Sequence, residues 1–384
     1  MNKPKRCFTC KISYTDSHSF YPGLCQSCGD INYRKRQQVA DLQGKFALVT
    51  GARIKIGYGV VLKLLRDGAT VIATTRFPHD AARRYREETD FEIWRDRLQI
   101  YKLDLRHLRR VEQFAEHLCD RYLRLDIIIN NAAQTIRRPP QFYQHLQDFE
   151  RLNFGELPLE LQQVLQGDRN WNVEGSIPLQ LASADPENIS PNLSLIPSNS
   201  LTRETQFFPS GEYDEDGQQL DLRPFNSWLM KDDEVSLVEI LEVQAINAIA
   251  PFLLNSRLKK LMQQNREESK YIINVSSMEG RFAGVNKPWR HPHTNMAKAA
   301  LNQMTRTCAS EYAKYKIYMN CVDPGWVSFQ HPHLQIQKMK ERGYFPPFDL
   351  MDAAARICDP IYQGINEGKK RFGKFYKNYL ESDW

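Results

Sequence analysis

The sequence predicts an α/β protein: a Rossmann-type doubly wound parallel sheet of about seven strands, preceded by a small metal-tied leader. Three observations predict it. Short apolar runs alternate with helical periodicity from residue 45 onward, a glycine-bearing turn joins the first run to the first helix, and four of the eight cysteines fall within the first 28 residues. The composition agrees, because 384 residues at 41% hydrophobic and 26% charged can bury a large core and exclude a disordered or collagen-like chain. No uninterrupted apolar run approaches the roughly 18 residues of a membrane span. The basic start, Met1 to Arg6, leads into Cys7 and Cys10 rather than an apolar stretch, so the expectation is a cytoplasmic protein without a membrane anchor. A net charge of +6 over this length is too mild to argue for a nucleic-acid partner.

Taken in order, the leader spans residues 1–40. Cys7-x2-Cys10 and Cys25-x2-Cys28 are two paired knuckles, each setting two thiolates on one tight turn. Four sulfurs in this spacing suit a closed, structural zinc site with no coordination position left for catalysis. Tyr14, Phe20, Tyr21, Pro22 and Gly23 between the pairs make a short hairpin with a small apolar face. A segment this short needs the metal for most of its folding energy. It resembles a zinc ribbon. Over residues 1–44, Lys3, Lys5, Arg6 and Lys11 with Arg34, Lys35 and Arg36, against Asp16, Asp30 and Asp41, leave +4, which a zinc tetrathiolate would halve, so a protein contact or a cap on the next domain is preferred to nucleic acid. Cys119, Cys308, Cys321 and Cys358 are scattered and read as small core residues.

From Lys45 the pattern changes. Lys45–Thr50 is a buried parallel strand, and Gly51-Ala-Arg-Ile-Lys-Ile-Gly57 leads into a helix with Val60, Val61, Leu64 and Leu65 at helical spacing. Strands at 70–75, 98–102 and 126–130 and a helix at 105–122 follow. Strand, glycine turn, helix, strand is a dinucleotide-binding unit, since glycines let the backbone approach a pyrophosphate at a helix N-terminus.

Further along, Asn130-Asn131-Ala132-Ala133 closes a strand and Asn247 lies inside the helical pattern 243–261. Ser276-Ser277 closes the strand 271–275, Lys298 sits in Met296-Ala-Lys-Ala-Ala, and Asn320-Cys-Val-Asp-Pro324-Gly325 closes a sixth strand. In order and approximate spacing these motifs resemble the short-chain dehydrogenase/reductase family over nearly all of residues 45–384. The resemblance implies hydride transfer between NAD(P)(H) and a carbonyl or alcohol of unknown identity, and a homo-oligomer. Thr50, Gly51, Ile56 and Gly57 would form the cofactor turn, with Arg53 and Lys55 bringing positive charge to the phosphates. Asp104 and Leu105 would hold the adenine edge, and Asn130, Asn131 and Ala132 would support the sheet and the cofactor. Ser277 would orient a substrate carbonyl, Asn247 would hold a proton-relay water, Lys298 would bind the nicotinamide ribose, and Pro324 and Gly325 would border the nicotinamide. The competing readings are a helix cap or turn residue for Ser277 and a mid-helix amide satisfied by backbone for Asn247. Arg76, where an acid would favour NAD, suits a 2′-phosphate and points to NADP(H), with NAD(H) the alternative.

Three departures from the pattern matter. Lys55 stands where the family has its middle glycine, and a side chain there would either crowd the pyrophosphate, demand a backbone conformation that only glycine takes readily, or point into solvent from a remodelled loop. Thr294 stands where the family places its catalytic Tyr. An aliphatic alcohol ionises ~5 pKa units above a phenol, or about 7 kcal/mol, so Thr294 cannot replace it as proton donor. The interval from Ser277 to Lys298 is four residues longer than usual and carries His291 and His293, which read either as a substitute acid or, the preferred reading, as solvated loop residues. Finally, an insertion at about 134–235, punctuated by prolines, follows the fourth strand of the core. It would emerge beside the cofactor as a lid or a partner surface, with local structure at 157–165 and 218–222 and a solvated turn at Asp214-Glu215-Asp216-Gly217. Two readings follow: an oxidoreductase with an atypical site, or a dinucleotide-binding pseudoenzyme acting through partners.

Overall fold

The computed structural model describes residues 4–174, 205–283 and 289–384. Of the insertion's prolines, Pro178, Pro186, Pro191 and Pro197 lie outside the described residues. The leader consists of β1 (Lys5–Arg6) paired antiparallel with β2 (Ser13–Tyr14), followed by α1 (Gln26–Arg36). The second cysteine knuckle therefore opens a helix, with Cys25 at its N-cap.

The core alternates as its apolar runs predict: β3 (Phe46–Thr50), α2 (Lys55–Arg66), β4 (Thr70–Thr75), α3 (Pro78–Arg86), α4 (Phe91–Trp94), β5 (Leu98–Lys102), α5 (Leu108–Arg121) and β6 (Ile127–Asn130). Within the insertion come α6 (Gln144–Glu150) and α7 (Leu159–Glu174). After it come α8 (Leu237–Gln244), one π turn (Ala245–Ile249), α9 (Ala250–Gln263), β7 (Lys270–Val275), α10 (Pro292–Ala313) and β8 (Ile317–Asp323). The chain ends with α11 (His333–Glu341), α12 (Leu350–Asn366), β9 (Phe375–Lys377) and β10 (Leu380–Ser382).

These strands form one sheet in the order β10-β9-β8-β7-β6-β3-β4-β5, parallel except for β10. The expected seven parallel strands are present, and the antiparallel edge strand β10 is additional. The order reverses between β3 and β6, the switch point at which loops from adjacent strands diverge and leave a crevice at the carboxyl edge. One face is covered by α2 and α12, with Val60, Leu64, Ile357 and Ile361 fully buried. The other is covered by α5, α9 and α10, with Phe114, Leu254, Leu258 and Leu301 at or near zero exposure. The run Leu237–Gln263 forms one continuous helical stretch of membrane-spanning length and hydropathy. Here one face, with Val243, Ala250, Leu254, Leu258 and Leu261, is buried against the core, while Leu237, Leu241, Ile249 and Phe252 remain exposed.

Part of the insertion has a job in the fold. Helix α7 lies along the edge strand β5: Asp168 accepts the Lys102 amide at 2.7 Å, and the Gly167 amide donates to Gln99 Oε1 at 3.1 Å. An open strand edge is a template for unwanted pairing, and this helix occupies it. Leu161, Val164 and Leu165 enter one core and Trp171 enters the other.

The leader docks on α12. Tyr21 donates to Asp352 at 2.6 Å, Lys35 pairs with Asp359 at 2.5 Å, and Arg36 contacts Asp349 and Asp352. Buried Arg356 lies over the Phe348 ring at 3.7 Å and donates to Asn32. Phe8, inside the first knuckle, packs on Trp326 and Phe348.

Candidate functional site

A cleft of about 370 Å³ opens at the switch point. Its floor is the turn after β3. Gly51 adopts φ +68°, and Gly57 is forced by contact, since a Cβ there would lie 2.1 Å from the Gly51 carbonyl oxygen and 2.4 Å from Asn131 Nδ2. Buried Thr50 fixes the neighbouring loop, its hydroxyl accepting from the amides of Asn131 and Ala132 at 3.1 Å each. Asn131 Nδ2 returns bonds to the carbonyls of Thr50 and Gly51. Asn130 points the other way, donating to Asn255 and Asn274 inside the core, so it supports the sheet from beneath.

At the far end, Arg76 donates to the Tyr143 hydroxyl at 2.6 Å and lies 4.5 Å from that ring's centroid. Asp104 holds Arg106 through both carboxylate oxygens, which lowers its pKa to about 2 despite burial. Leu105 and Ile56 line the same cleft. Its roof comes from the insertion, through Arg138, Phe142, Tyr143 and Gln218. Arg138 is paired with Asp221, and burial lowers its pKa to about 10. The sequence offered no periodicity or motif from which these four could be read.

Two residues of the turn need separate comment. Arg53, expected to face phosphates, is buried and bonded to Asp80 at 2.7 Å, with Gln218 as a second partner. Its charge is already balanced by a carboxylate that also binds Arg83 and Arg84, although the residue still lines the cleft. Lys55 takes φ +54°, the left-handed conformation that suits glycine, and its Nζ lies 3.3 Å from Asp216 of the insertion. The Asp214–Gly217 turn is thus seated on the phosphate turn rather than simply solvated.

The catalytic end is arranged differently. Ser277 caps the short helix Met278–Gly280, its hydroxyl accepting from the Glu279 amide at 3.2 Å. Asn247 sits in the π turn with both ends of its side chain bonded to the backbone of Gln134, at 2.7 and 3.0 Å. Lys298 is fully buried and donates to the Val275 carbonyl at 2.7 Å, and burial lowers its pKa to about 8. Thr294 donates to the His291 carbonyl at 2.8 Å. Pro324 and Gly325 follow β8, and Gly325 (φ +87°) packs near Phe348 and Arg356. None of Ser277, Thr294, Lys298, Pro324 and Gly325 lines the cleft.

His291 and His293 are each only 2% exposed, which corrects their reading as solvated. His291 stacks on Trp228 at 3.9 Å between ring centroids, and burial lowers its pKa to about 4. His293 Nε2 lies 3.5 Å from buried Glu239. The insertion's return segment, which supplies Trp228, covers this loop; nothing in the sequence linked the two.

In the leader, the Sγ atoms of Cys7, Cys10, Cys25 and Cys28 all lie within 4.8 Å of one another, and Cys10 and Cys25 are 3.8 Å apart. A tetrahedron of sulfurs about 2.3 Å from zinc has edges of about 3.8 Å, whereas a disulfide requires about 2.05 Å. The residues fit a tetrathiolate metal.

Sheet order, switch-point cleft and glycine turn define a dinucleotide-binding α/β protein. Comparison with known proteins narrows the class. A short chain dehydrogenase model matches residues 45–154, and an enoyl-(acyl carrier protein) reductase model of the same kind matches residues 229–342. The chain belongs to the short-chain dehydrogenase/reductase family, a family of NAD(P)-dependent oxidoreductases. An uncharacterized protein of Acanthamoeba polyphaga mimivirus is 32% identical over 93% of this chain and 71% of its own length. A short chain dehydrogenase/reductase of Colletotrichum higginsianum is 39% identical over 25% of this chain and 24% of that protein. Among solved structures, an NADPH-bound carbonyl reductase from chicken fatty liver shares the fold at TM-score 0.54 and 18% identity, covering 89% of this chain and all of that one.

Proposed function

We propose that this chain binds NADP(H) in the switch-point cleft and acts as an oxidoreductase on a carbonyl or alcohol, with an active site that lacks the family's tyrosine. The observation that carries the reading is Gly57, where only a missing Cβ leaves the cleft floor intact. Gly51, Gly57 and Asn131 would hold the diphosphate, Asp104 and Leu105 the adenine edge, and Arg76 a 2′-phosphate. Arg76 suits that task because its guanidinium is oriented by Tyr143 and keeps donors free beyond that bond. When bound, the nicotinamide supplies or accepts a hydride. Ser277, Asn247 and Lys298 would then position the carbonyl and the proton path, after exchanging the internal bonds they hold here. A chicken enzyme of the same fold is named as an NADPH-bound carbonyl reductase, which supports the cofactor class.

A second reading, a pseudoenzyme that binds the dinucleotide without turnover, is favoured by one observation: Lys298 and Thr294 each donate to a backbone carbonyl rather than into the cleft. Titration of the purified protein with NADPH and NADH, followed by NADPH consumption against a carbonyl panel, tests both. Tight NADPH binding with turnover supports the first reading; binding alone supports the second; no binding sinks both. For the leader we propose one structural zinc per chain. Elemental analysis should return one zinc, with four thiols that react only after chelation, and metal-free protein with freely reactive thiols would overturn it.

A further inference from the structure

We infer that Lys55 is a diphosphate ligand held in reserve by Asp216, so that the insertion competes with the cofactor for one ammonium group. The inference rests on the reading of the cleft as a dinucleotide site, and it concerns how the site is regulated.

Lys55 opens α2, whose first turn carries no acid and whose N-cap, Ile54, offers no side-chain acceptor. The first amides of a helix have no partner within it and lie at its positive dipole end, the environment a phosphate prefers. The lysine borders both the main cleft and a second hollow of about 310 Å³ behind it. Its left-handed backbone, costly for a side chain with a Cβ, is kept at this position.

The cations around the turn are not equivalent. Arg53 and Arg84 both bind Asp80, which is fully buried, at 2.7 and 2.8 Å. Opening the Arg53–Asp80 pair would leave the buried Arg53 guanidinium without its carboxylate. The Lys55–Asp216 pair is longer, 3.3 Å, and its side chains are 31% and 30% exposed, so water can take over either group. Asp216 also does not depend on Lys55 for its place. Asp214 Oδ1 accepts the amides of Asp216 and Gln218, and Arg84 donates to the carbonyls of Asp216 and Gly217. The acidic tip is therefore fixed beside the turn while the lysine is free to leave it.

A diphosphate arriving at the α2 N-terminus would draw Lys55 away from Asp216 and leave that carboxylate as a nearby like charge. Asp216 thus lowers affinity for any ligand with a diphosphate and is indifferent to one without. This gives the glycine-to-lysine departure a purpose: a side chain replaces backbone proximity as the source of phosphate affinity, and a loop of the same chain sets its strength.

The test is calorimetric titration of wild type, Asp216→Asn, Lys55→Ala and the double variant with NADPH, ADP and adenosine, with thermal melts to establish folding. Asp216→Asn should tighten NADPH and ADP about fivefold and leave adenosine unchanged. Lys55→Ala should weaken NADPH and ADP about tenfold, and adding Asp216→Asn to it should recover less than twofold, because the two residues act on one interaction. Unchanged or weaker ADP binding in folded Asp216→Asn, or an equal gain with adenosine, would overturn the exchange while leaving wild-type NADPH binding as evidence for the dinucleotide reading. If no folded form binds NADPH, the dinucleotide reading falls and takes the exchange with it.

Discussion

The two ends of the site are built on opposite principles. At the phosphate end, polar side chains face a cleft: Arg76 and Lys55 border it and Asn131 frames its floor. At the catalytic end, the matching residues are turned inward, with Lys298 on the Val275 carbonyl, Thr294 on the His291 carbonyl and Asn247 on the backbone of Gln134. Binding a dinucleotide needs backbone shape and a few charges, both fixed by the turn after β3. Proton transfer needs a group of suitable pKa aimed at the reacting atom, and the phenol that serves the family is absent. The two ends therefore make different demands on the chain, and each can be tested apart from the other.

The largest expected effect falls at the phosphate end. Gly57→Ala drives a methyl group into the Gly51 carbonyl and should cost about 100-fold in NADPH affinity, read by titration. Affinity within threefold of wild type would remove the floor of the cleft from the cofactor site.

Next is Lys298. Its folded pKa, about 8, lies below the usual 10.5 because burial disfavours the charged form. Between these values the unfolded chain binds more protons than the folded one, so this residue makes stability rise with pH across roughly pH 8 to 10.5, and below 8 its buried charge costs about 3 kcal/mol. Lys298→Met should abolish that increment, measured as the difference in urea unfolding between pH 7.5 and 10. An identical pH dependence in variant and wild type would show that the lysine is not buried as drawn.

Thr294→Tyr places a phenol at a position 3% exposed, and overpacking should cost about 1–3 kcal/mol in stability without raising carbonyl-dependent NADPH oxidation. A gain in rate would break the comparison, because it would show the catalytic end needs only its missing acid. The smallest effect is at Arg76. Its replacement by Ala should narrow the preference for NADPH over NADH by about tenfold, the worth of one charge-assisted hydrogen bond. Equal losses for both cofactors would move the residue's role from the 2′-phosphate to the adenosine as a whole.

Much of this was legible in the chain. The strands from β3 to β8, four to seven residues each, follow from short apolar runs, and the turn follows from Gly51 and Gly57. Both signals are local: backbone burial and missing Cβ atoms leave their mark within a few residues. The cysteine spacing was equally local. The roof over the cleft was not legible, because Tyr143 and Gln218 reach it from a stretch with no periodicity. Nor was the burial of His291, which depends on Trp228 more than sixty residues earlier.

By itself, then, the sequence determined the strands, the glycine floor and the thiolate set, because each is written in the spacing of neighbouring residues. Tertiary structure decided which charges remain available. Arg53 and Lys55 stand two residues apart, yet one is committed to buried Asp80 and the other to Asp216 at the surface. The partner that decides between these fates comes from a distant element, and the strength of each pair depends on how much water the fold leaves around it.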